Sequence, residues 1–204
     1  MKQIKWKFLI ISSLICLLPI VFGIAVWNDL PESIAIHFDI NNTPDNFASK
    51  PFAVFAMPFM MAALQIFCCI MTDINTRKHG ECKKFENVAK WIIPVIAVIV
   101  QTMTLVYSLG VNVDIRRVAI FVVGIMFIAI GNYLPKLNYI KNYKTTPEKA
   151  KKITRLVGYE YFFMGIIALI TLFMPPIASV IWLILLIPCT VTSIIYTIIL
   201  NRKK

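Results

Sequence analysis

The sequence predicts an all-α polytopic membrane protein with six transmembrane helices, both termini in the cytoplasm and a short β-like element in an extracellular loop. Composition excludes an ordinary soluble domain, because 59% of the 204 residues are hydrophobic and only 15% are charged, with a mean hydropathy of +0.77. A hydrocarbon layer about 30 Å thick requires roughly 20 apolar residues in a helix, and the chain contains six such stretches. We therefore expect a single integral membrane domain over residues 1–204.

The six spans are expected to follow one another with polar connections between them. Their approximate limits are 8–27, 51–71, 91–110, 118–134, 159–174 and 177–200. The first apolar run has about 20 residues, more than the roughly 7 to 15 of a signal peptide, so we interpret it as a span. The Pro175, Pro176 pair predicts a tight turn between the last two spans.

The distribution of basic residues predicts the orientation. All but three of the 21 Lys and Arg residues lie at the two termini or in the connections at 72–90 and 135–158. Cytoplasmic loops carry such an excess of positive charge, so we expect both termini and both connections in the cytoplasm. The net charge of +11 is then a topological signal and does not indicate direct nucleic-acid binding.

The extracellular loop at 28–50 is acidic and is expected to be folded. Large apolar residues alternate with small or polar ones along it, at Ile34, Ile36, Phe38 and Ile40. This is the period-2 pattern of a half-buried strand, whose apolar side chains we expect to pack against helix ends or to enter the membrane interface. Turn-forming residues at 41–45 are expected to reverse the chain after the strand.

The polar face of this strand carries His37 and Asp39, and Asp45 follows the turn. An EF-hand is excluded, because Pro44 stands where that loop requires glycine and Lys50 where it requires glutamate. A zinc site lacks a visible fourth ligand, so no metal or other cofactor is predicted. A catalytic histidine–carboxylate pair stays open as an alternative, although no Ser or Cys nucleophile in a Gly-rich turn accompanies it.

The connection at 135–158 ends in a predicted amphipathic helix. Thr145 or Thr146 can cap it, with Pro147 and Glu148 in the first turn and Thr145 at capping-box spacing from Glu148. The basic face comprises Lys149, Lys151, Lys152 and Arg155. We interpret the segment as an interfacial helix on anionic lipid, with a docking surface for an acidic partner as the alternative.

Polar residues within the spans are sparse. Gln65 and Gln101 are expected to bond neighbouring helices, and Gly124 and Gly131, seven residues apart, to allow close helix packing. Glu160 is expected about two residues inside the fifth span, unlike a mid-membrane proton relay. A secondary transporter is therefore disfavoured.

Two motifs resemble those of a known family. The outer loop carries Leu30, Pro31, Ile34, His37, Phe38, Pro44, Asp45, Ser49 and Lys50, and the fourth span ends with Gly131, Asn132, Tyr133, Leu134, Pro135 and Lys136. These are similar to the "LP..I..HF......D...SK" and "GNYMPK" elements of the SdpI-type immunity proteins. The chain departs from the family at Asn42, where glycine is usual, and at 142–147, where the "GIRTPWT" stretch is reduced.

The resemblance implies a plasma-membrane protein that protects its cell from a secreted antimicrobial peptide or protein toxin and also recruits a cytoplasmic transcriptional repressor. Toxin recognition is expected at Pro31, His37, Phe38, Asp39, Asp45 and Lys50. Intracellular signalling or contact with anionic lipid is expected at Asn132, Tyr133, Lys136, Lys149, Lys152 and Arg155. The protein is not expected to be an enzyme; the alternative is a membrane enzyme or metal-dependent lipid-modifying protein that uses His37 and the carboxylates of the outer loop.

Overall fold

The computed structural model describes residues 4–79, 83–136 and 146–202. Its elements in chain order are α1 (Trp6–Ile15), α2 (Leu18–Ala25), β1 (Ser33–Phe38), β2 (Pro44–Ser49), a π-helical turn (Phe52–Ala56), α3 (Met57–His79), α4 (Lys83–Ser108), α5 (Ile115–Tyr133), a 3₁₀ turn (Leu134–Lys136), α6 (Pro147–Thr171) and α7 (Pro176–Arg202). Six helical segments of the described chain are long and apolar enough to cross a membrane, with α1 and α2 forming the first. The six-helix fold class and the β-like loop element are confirmed.

Two helices begin earlier than the spans that hydropathy predicts. Helix α4 begins at Lys83 and α6 at Pro147, because hydropathy detects only the apolar part of a helix whose first turns are charged. The amphipathic segment and the fifth span are therefore one continuous helix. Glu160 lies near the middle of α6; its expected position about two residues inside the fifth span stays a prediction. The turn between α6 and α7 lies where the two prolines predict it.

The described chain divides into two compact units. One, the hairpin unit, consists mainly of the described residues up to 71 and of 90–122; the other, the C-terminal unit, consists mainly of those in 72–89 and from 123 onward. Several helices contribute to both. The expectation of a single integral membrane domain stays a prediction.

Proline divides the first span into α1 and α2. Pro19 has no N–H to donate to the carbonyl of Ile15, where α1 ends. The Leu17 amide instead bonds the Leu14 carbonyl at 3.0 Å, and the Ile20 amide bonds the Leu17 carbonyl at 3.0 Å. The span thus continues through a short interruption, which the sequence analysis did not predict.

Gln65 of α3 replaces a backbone hydrogen bond that a proline removes from α4. Pro94 lies inside α4 and has no N–H for the carbonyl of Lys90, four residues earlier. The Gln65 amide nitrogen donates to that carbonyl at 2.9 Å and to the Ser12 hydroxyl of α1 at 2.9 Å. Gln65 is completely buried. It therefore bonds two neighbouring helices, as expected.

Gln101 of α4 has the same function for the π-helical turn. In this turn the Met57 amide donates to the carbonyl of Phe52, five residues earlier. The next carbonyl, that of Ala53, would pair with residue 58, which is a proline. The Gln101 amide donates to the Ala53 carbonyl at 2.6 Å instead. Both predicted glutamine contacts are confirmed.

Close contact of α5 with α6 organises the C-terminal unit. A Cβ atom on Gly131 would lie 2.3 Å from the amide nitrogen of Phe162, and one on Gly165 would lie 2.6 Å from the carbonyl oxygen of Gly124. Only glycine permits such an approach of two backbones. The predicted packing role of Gly124 and Gly131 is confirmed, and Gly158 and Gly165 provide the matching positions on α6. On α7, the Trp182 indole donates to the Met164 carbonyl of α6 at 2.9 Å.

Replacing Gln65 with Leu is expected to destabilise the protein by about 1 kcal/mol, because the Lys90 carbonyl is left buried without its donor. Adding Pro94→Ala restores a backbone N–H to that carbonyl and should recover most of the loss. Reversible unfolding in detergent micelles measures the free energy of unfolding of the single and double variants. The coupling energy between the two substitutions tests the inferred contact. Strictly additive effects would show that the two residues do not act on one carbonyl.

Gly131→Ala is expected to reduce stability by about 1–3 kcal/mol, because the added methyl group meets backbone atoms that cannot rotate away. Gly124→Ala is the matched control: its methyl group first meets the Leu169 side chain, at 2.9 Å, which can change rotamer. The same unfolding measurement should rank Gly131→Ala as the more destabilising. Equal effects would contradict the inferred backbone contact.

Candidate functional site

A β-hairpin forms the connection between the first two spans. β1 pairs antiparallel with β2 from Ser33–Ser49 to Phe38–Pro44, with irregular register between Ala35 and Phe38. The period-2 pattern predicted β1. It did not predict β2, whose sequence PDNFAS has no β-branched residue and pairs because the turn brings it back along β1.

The apolar side of the hairpin packs on helix ends. Ile34 is completely buried in a cluster with Val54 and Leu105. The Phe38 ring meets Tyr107 of α4 edge-on, with centroids 4.9 Å apart. Packing of this face is confirmed except at Ile40, which is 45% exposed because it lies in the turn beyond β1.

Asp39 forms the turn of the hairpin. Its Oδ1 accepts hydrogen bonds from the amides of Asn41 at 2.8 Å and Thr43 at 2.7 Å, and its own amide bonds the Thr43 carbonyl at 2.8 Å. Asn42 adopts the left-handed conformation with φ of 64°, which glycine favours and asparagine tolerates. The Oδ1 atom of Asp39 is thus used in holding the turn together.

The Asn42 side chain fastens the hairpin tip to the start of α5. Its Oδ1 accepts from the Ile115 amide at 2.8 Å, and its Nδ2 donates to the Val113 carbonyl at 3.0 Å. The first turn of a helix has free N–H groups that need such acceptors. Asp114 caps the same turn, accepting from the Arg117 amide at 2.9 Å. This contact was not predicted, because the sequence carries no signal for it.

His37 and Asp45 form an exposed pair across the two strands. The His37 Nδ1 and Asp45 Oδ1 atoms lie 2.5 Å apart. The side chains are 67% and 48% exposed, so both remain accessible to a ligand. Two of the predicted recognition residues are therefore brought together.

Lys50 fixes the base of the hairpin. Its ammonium group lies 2.9 Å from Glu32 Oε1, donates to the Trp27 carbonyl at 3.3 Å and lies 5.2 Å from the Trp27 ring centroid. The residue is only 5% exposed. A contribution of Lys50 to recognition would therefore act through the position of the hairpin.

A groove of about 470 Å³ lies between the hairpin and the end of α4. Pro31, another predicted recognition residue, lines it on one side, with Phe47 and Tyr107 among the other walls. This volume lies in the range of small-ligand and side-chain pockets. The groove was not predicted, because its far wall comes from residues 60 or more positions away in the chain.

The second predicted site contains one local cluster. Lys136 donates to Asn132 Oδ1 at 3.3 Å, and its ammonium lies 4.6 Å from the Tyr133 ring centroid. The turn that carries Lys136 packs on α6, where Pro135 lies against Gly158. The "GNYLPK" element is thus the end of the α5–α6 contact.

The first three turns of α6 carry the remaining predicted residues, Lys149, Lys152 and Arg155. Thr146 caps the helix and accepts from the Lys149 amide at 3.4 Å. Glu148 therefore lies one position too early for a capping box with Thr146, and Thr145 lies outside the described residues, as do Lys141 and Lys144. Lys152 and Arg155 are exposed.

No group of three or more His, Cys, Asp or Glu side chains in the described ranges is arranged to hold a metal ion. In the hairpin, His37 and Asp45 form a pair.

Comparisons with known proteins point to the same region. A family described as a domain of unknown function, DUF1648, matches residues 14–62, which run from the end of α1 through the hairpin into α3. The chain is 32% identical over 123 residues to "Immunity protein SdpI" of Bacillus subtilis (strain 168). These matches confirm the resemblance to the SdpI-type family.

The SdpI-type similarity covers 60% of this chain and 58% of the relative, so the chain spans somewhat more than half of that curated protein in the match. No solved structure matches. With the six apolar helices, the similarity shows a multi-pass membrane protein. The DUF1648 match includes both strands of the hairpin.

Asn42→Ala is expected to destabilise the hairpin tip and the start of α5 by about 1 kcal/mol, because both side-chain bonds are lost. Hydrogen exchange at the Ile115 amide should accelerate. Asn42→Gly should accelerate exchange at Ile115 to a similar extent while keeping the left-handed turn. The comparison separates the side-chain bonds of Asn42 from its backbone conformation. Asn41→Ala, at an exposed neighbour, is the control; slow exchange at Ile115 in all three variants would contradict the bridge.

Proposed function

We propose that this SdpI-type chain is a membrane immunity protein that protects its cell from a secreted antimicrobial peptide or protein toxin. The observation that carries the proposal is its similarity to a protein named as an immunity protein. The hairpin supports it from the structure, since an ordered exposed element is held on buried helix ends.

The hairpin is the proposed recognition surface, and the positive-inside pattern supports an extracellular position for it. The residues proposed to contact the toxin are the paired His37 and Asp45. The groove lined by Pro31 adjoins the same hairpin. Phe38 and Asp39 position the strand and turn, and Lys50 positions the base. A preorganised surface loses less conformational freedom on binding than a loose loop does.

Charge favours a cationic toxin. The hairpin loop contains four carboxylates, at Asp29, Glu32, Asp39 and Asp45, against the single cation Lys50, which is buried beside Glu32. Complementary charge mainly accelerates encounter and excludes partners of the wrong sign. The groove then provides the apolar contact that charge alone lacks.

Signalling through a cytoplasmic repressor is a further part of the proposal. The residues concerned are the Asn132, Tyr133, Lys136 cluster and the exposed Lys152 and Arg155 of α6, with Lys149 in the first turn. These cations also suit anionic lipid headgroups. The glycine contact joins the two helices that carry them.

Survival of a toxin-sensitive host tests the function. Cells expressing the chain should tolerate toxin secreted by the source strain, and His37→Gln or Asp45→Asn should reduce the tolerated concentration about tenfold, the effect of losing about 1.4 kcal/mol of binding. Asp29→Asn removes the same charge from the same loop outside the hairpin strands, and should change tolerance less than twofold.

All variants are compared at equal abundance in the membrane. Absence of protection by the unchanged chain sinks the immunity proposal. Equal losses in Asp45→Asn and Asp29→Asn would show that the net charge of the loop matters and the hairpin pair does not.

The contact between His37 and Asp45 favours one second candidate, a membrane enzyme that acts on lipid. A histidine oriented by a carboxylate can serve as a general base. His37→Gln keeps hydrogen bonding but removes this chemistry, so an enzyme should lose activity by about 100-fold or more. A partial loss of protection in this variant argues against catalysis.

A further inference from the structure

The apolar stretches of α6 and α7 contain a single carboxylate. Glu160 is the one Asp, Glu, Lys or Arg between residues 156 and 200. Ser193 of α7 donates a hydrogen bond to its Oε2. Ionisable groups at membrane depth are costly, because a single hydroxyl does not offset the lost hydration of a carboxylate.

A groove of about 250 Å³ adjoins this pair. Its walls are mostly apolar, with Val157 of α6 and Ile194 of α7 among them, and Tyr161 and Thr190 add hydroxyl groups. Ser193 lines the groove and bonds Glu160. Glu160 is not itself a lining residue, so the carboxylate lies behind the Ser193 hydroxyl that faces the groove.

We propose that this groove binds a basic side chain carried by an apolar, membrane-inserted peptide. A cation on the occupant would offset the charge of Glu160, and the walls would take the aliphatic part of a Lys or Arg side chain. The volume suits one such side chain. Within the described residues, Glu160 has no basic partner of its own, since its contact is with Ser193.

Position along the helix selects a peptide over an aminophospholipid. Glu160 lies five residues beyond Arg155, about 7 Å further along α6. A phospholipid whose phosphate met the basic face at Lys152 and Arg155 would carry its ammonium group still farther from the hydrocarbon, away from Glu160. A side chain on an inserted peptide can lie at the required depth.

The binding site is inferred from the groove alone. The identification of its natural occupant as the secreted toxin rests on the proposed function. A cationic toxin with an apolar segment would then contact the protein at the hairpin and again within the membrane.

Binding is tested with purified full-length protein in phosphatidylcholine vesicles. The probe is a synthetic Leu/Ala peptide of about 20 residues with one Lys about five residues from an end, and the matched probe has Leu at that position. Energy transfer from protein tryptophan to a dansyl group on the peptide reports association. We expect the Lys peptide to bind at least about tenfold more tightly.

Glu160→Gln should abolish this preference while keeping an acceptor for Ser193, so the fold is retained. Thr192→Val is the matched control, since this exposed α7 hydroxyl bonds the Cys189 carbonyl and does not line the groove. Equal binding of the two peptides overturns the proposal. So does a Lys preference that survives Glu160→Gln, or one abolished by adding phosphatidylethanolamine, which would assign the groove to lipid.

Survival assays separate the two proposals. Protection by the unchanged chain that Glu160→Gln does not weaken leaves the immunity role standing and removes the toxin from this groove. Peptide binding without any protection removes the immunity role and leaves the groove as a binding site.

Discussion

The hairpin unit depends on two glutamine side chains that donate hydrogen bonds to backbone carbonyls left without a backbone donor. A bilayer offers no water to a carbonyl that proline deprives of its donor, so the protein must supply one. Gln65 donates to the Lys90 carbonyl near Pro94, and Gln101 donates to the Ala53 carbonyl near Pro58. Each glutamine thus makes a neighbouring proline tolerable and joins two helices by doing so.

The second of these contacts lies directly beneath the candidate site. Ala53 and Val54, in the π-helical turn, belong to the buried cluster that receives Ile34 of the hairpin. A change in that turn would move the surface on which the strand rests. The position of His37 and Asp45 is therefore decided partly by hydrogen bonds within the span below them.

Much of this architecture is readable from the sequence, for identifiable reasons. Long apolar runs predicted six helices because a bilayer demands them, and alternation at Ile34 and Ile36 predicted a half-buried strand. β2 escaped prediction because tertiary pairing overrides the poor strand propensity of its residues. The pairing of His37 with Asp45 was not predicted, since a turn must first bring the strands together in a register that the sequence does not specify.

The prediction for Glu160 depended on where its helix begins. Hydropathy placed Glu160 at the edge of a span because it could not detect the charged turns from Pro147 to Arg155 as part of the same helix. The two glutamines were predicted to bond neighbouring helices, but their partners were carbonyl groups, and a carbonyl has no signature in the sequence. The prolines can be read from the sequence. The structure is needed to show which side chains replace the hydrogen bonds that they remove.

The bridge from Asn42 to α5 also bears on the order in which the chain assembles. The two bonded residues are 73 positions apart, so the hairpin leaves the ribosome well before its partner helix is made. Until α5 arrives, the turn has its own Asp39 bonds and the hairpin its packing on other helix ends, but the tip lacks the bonds from Asn42 to α5. Completion of the fourth span is therefore the step in biosynthesis that locks an element made much earlier.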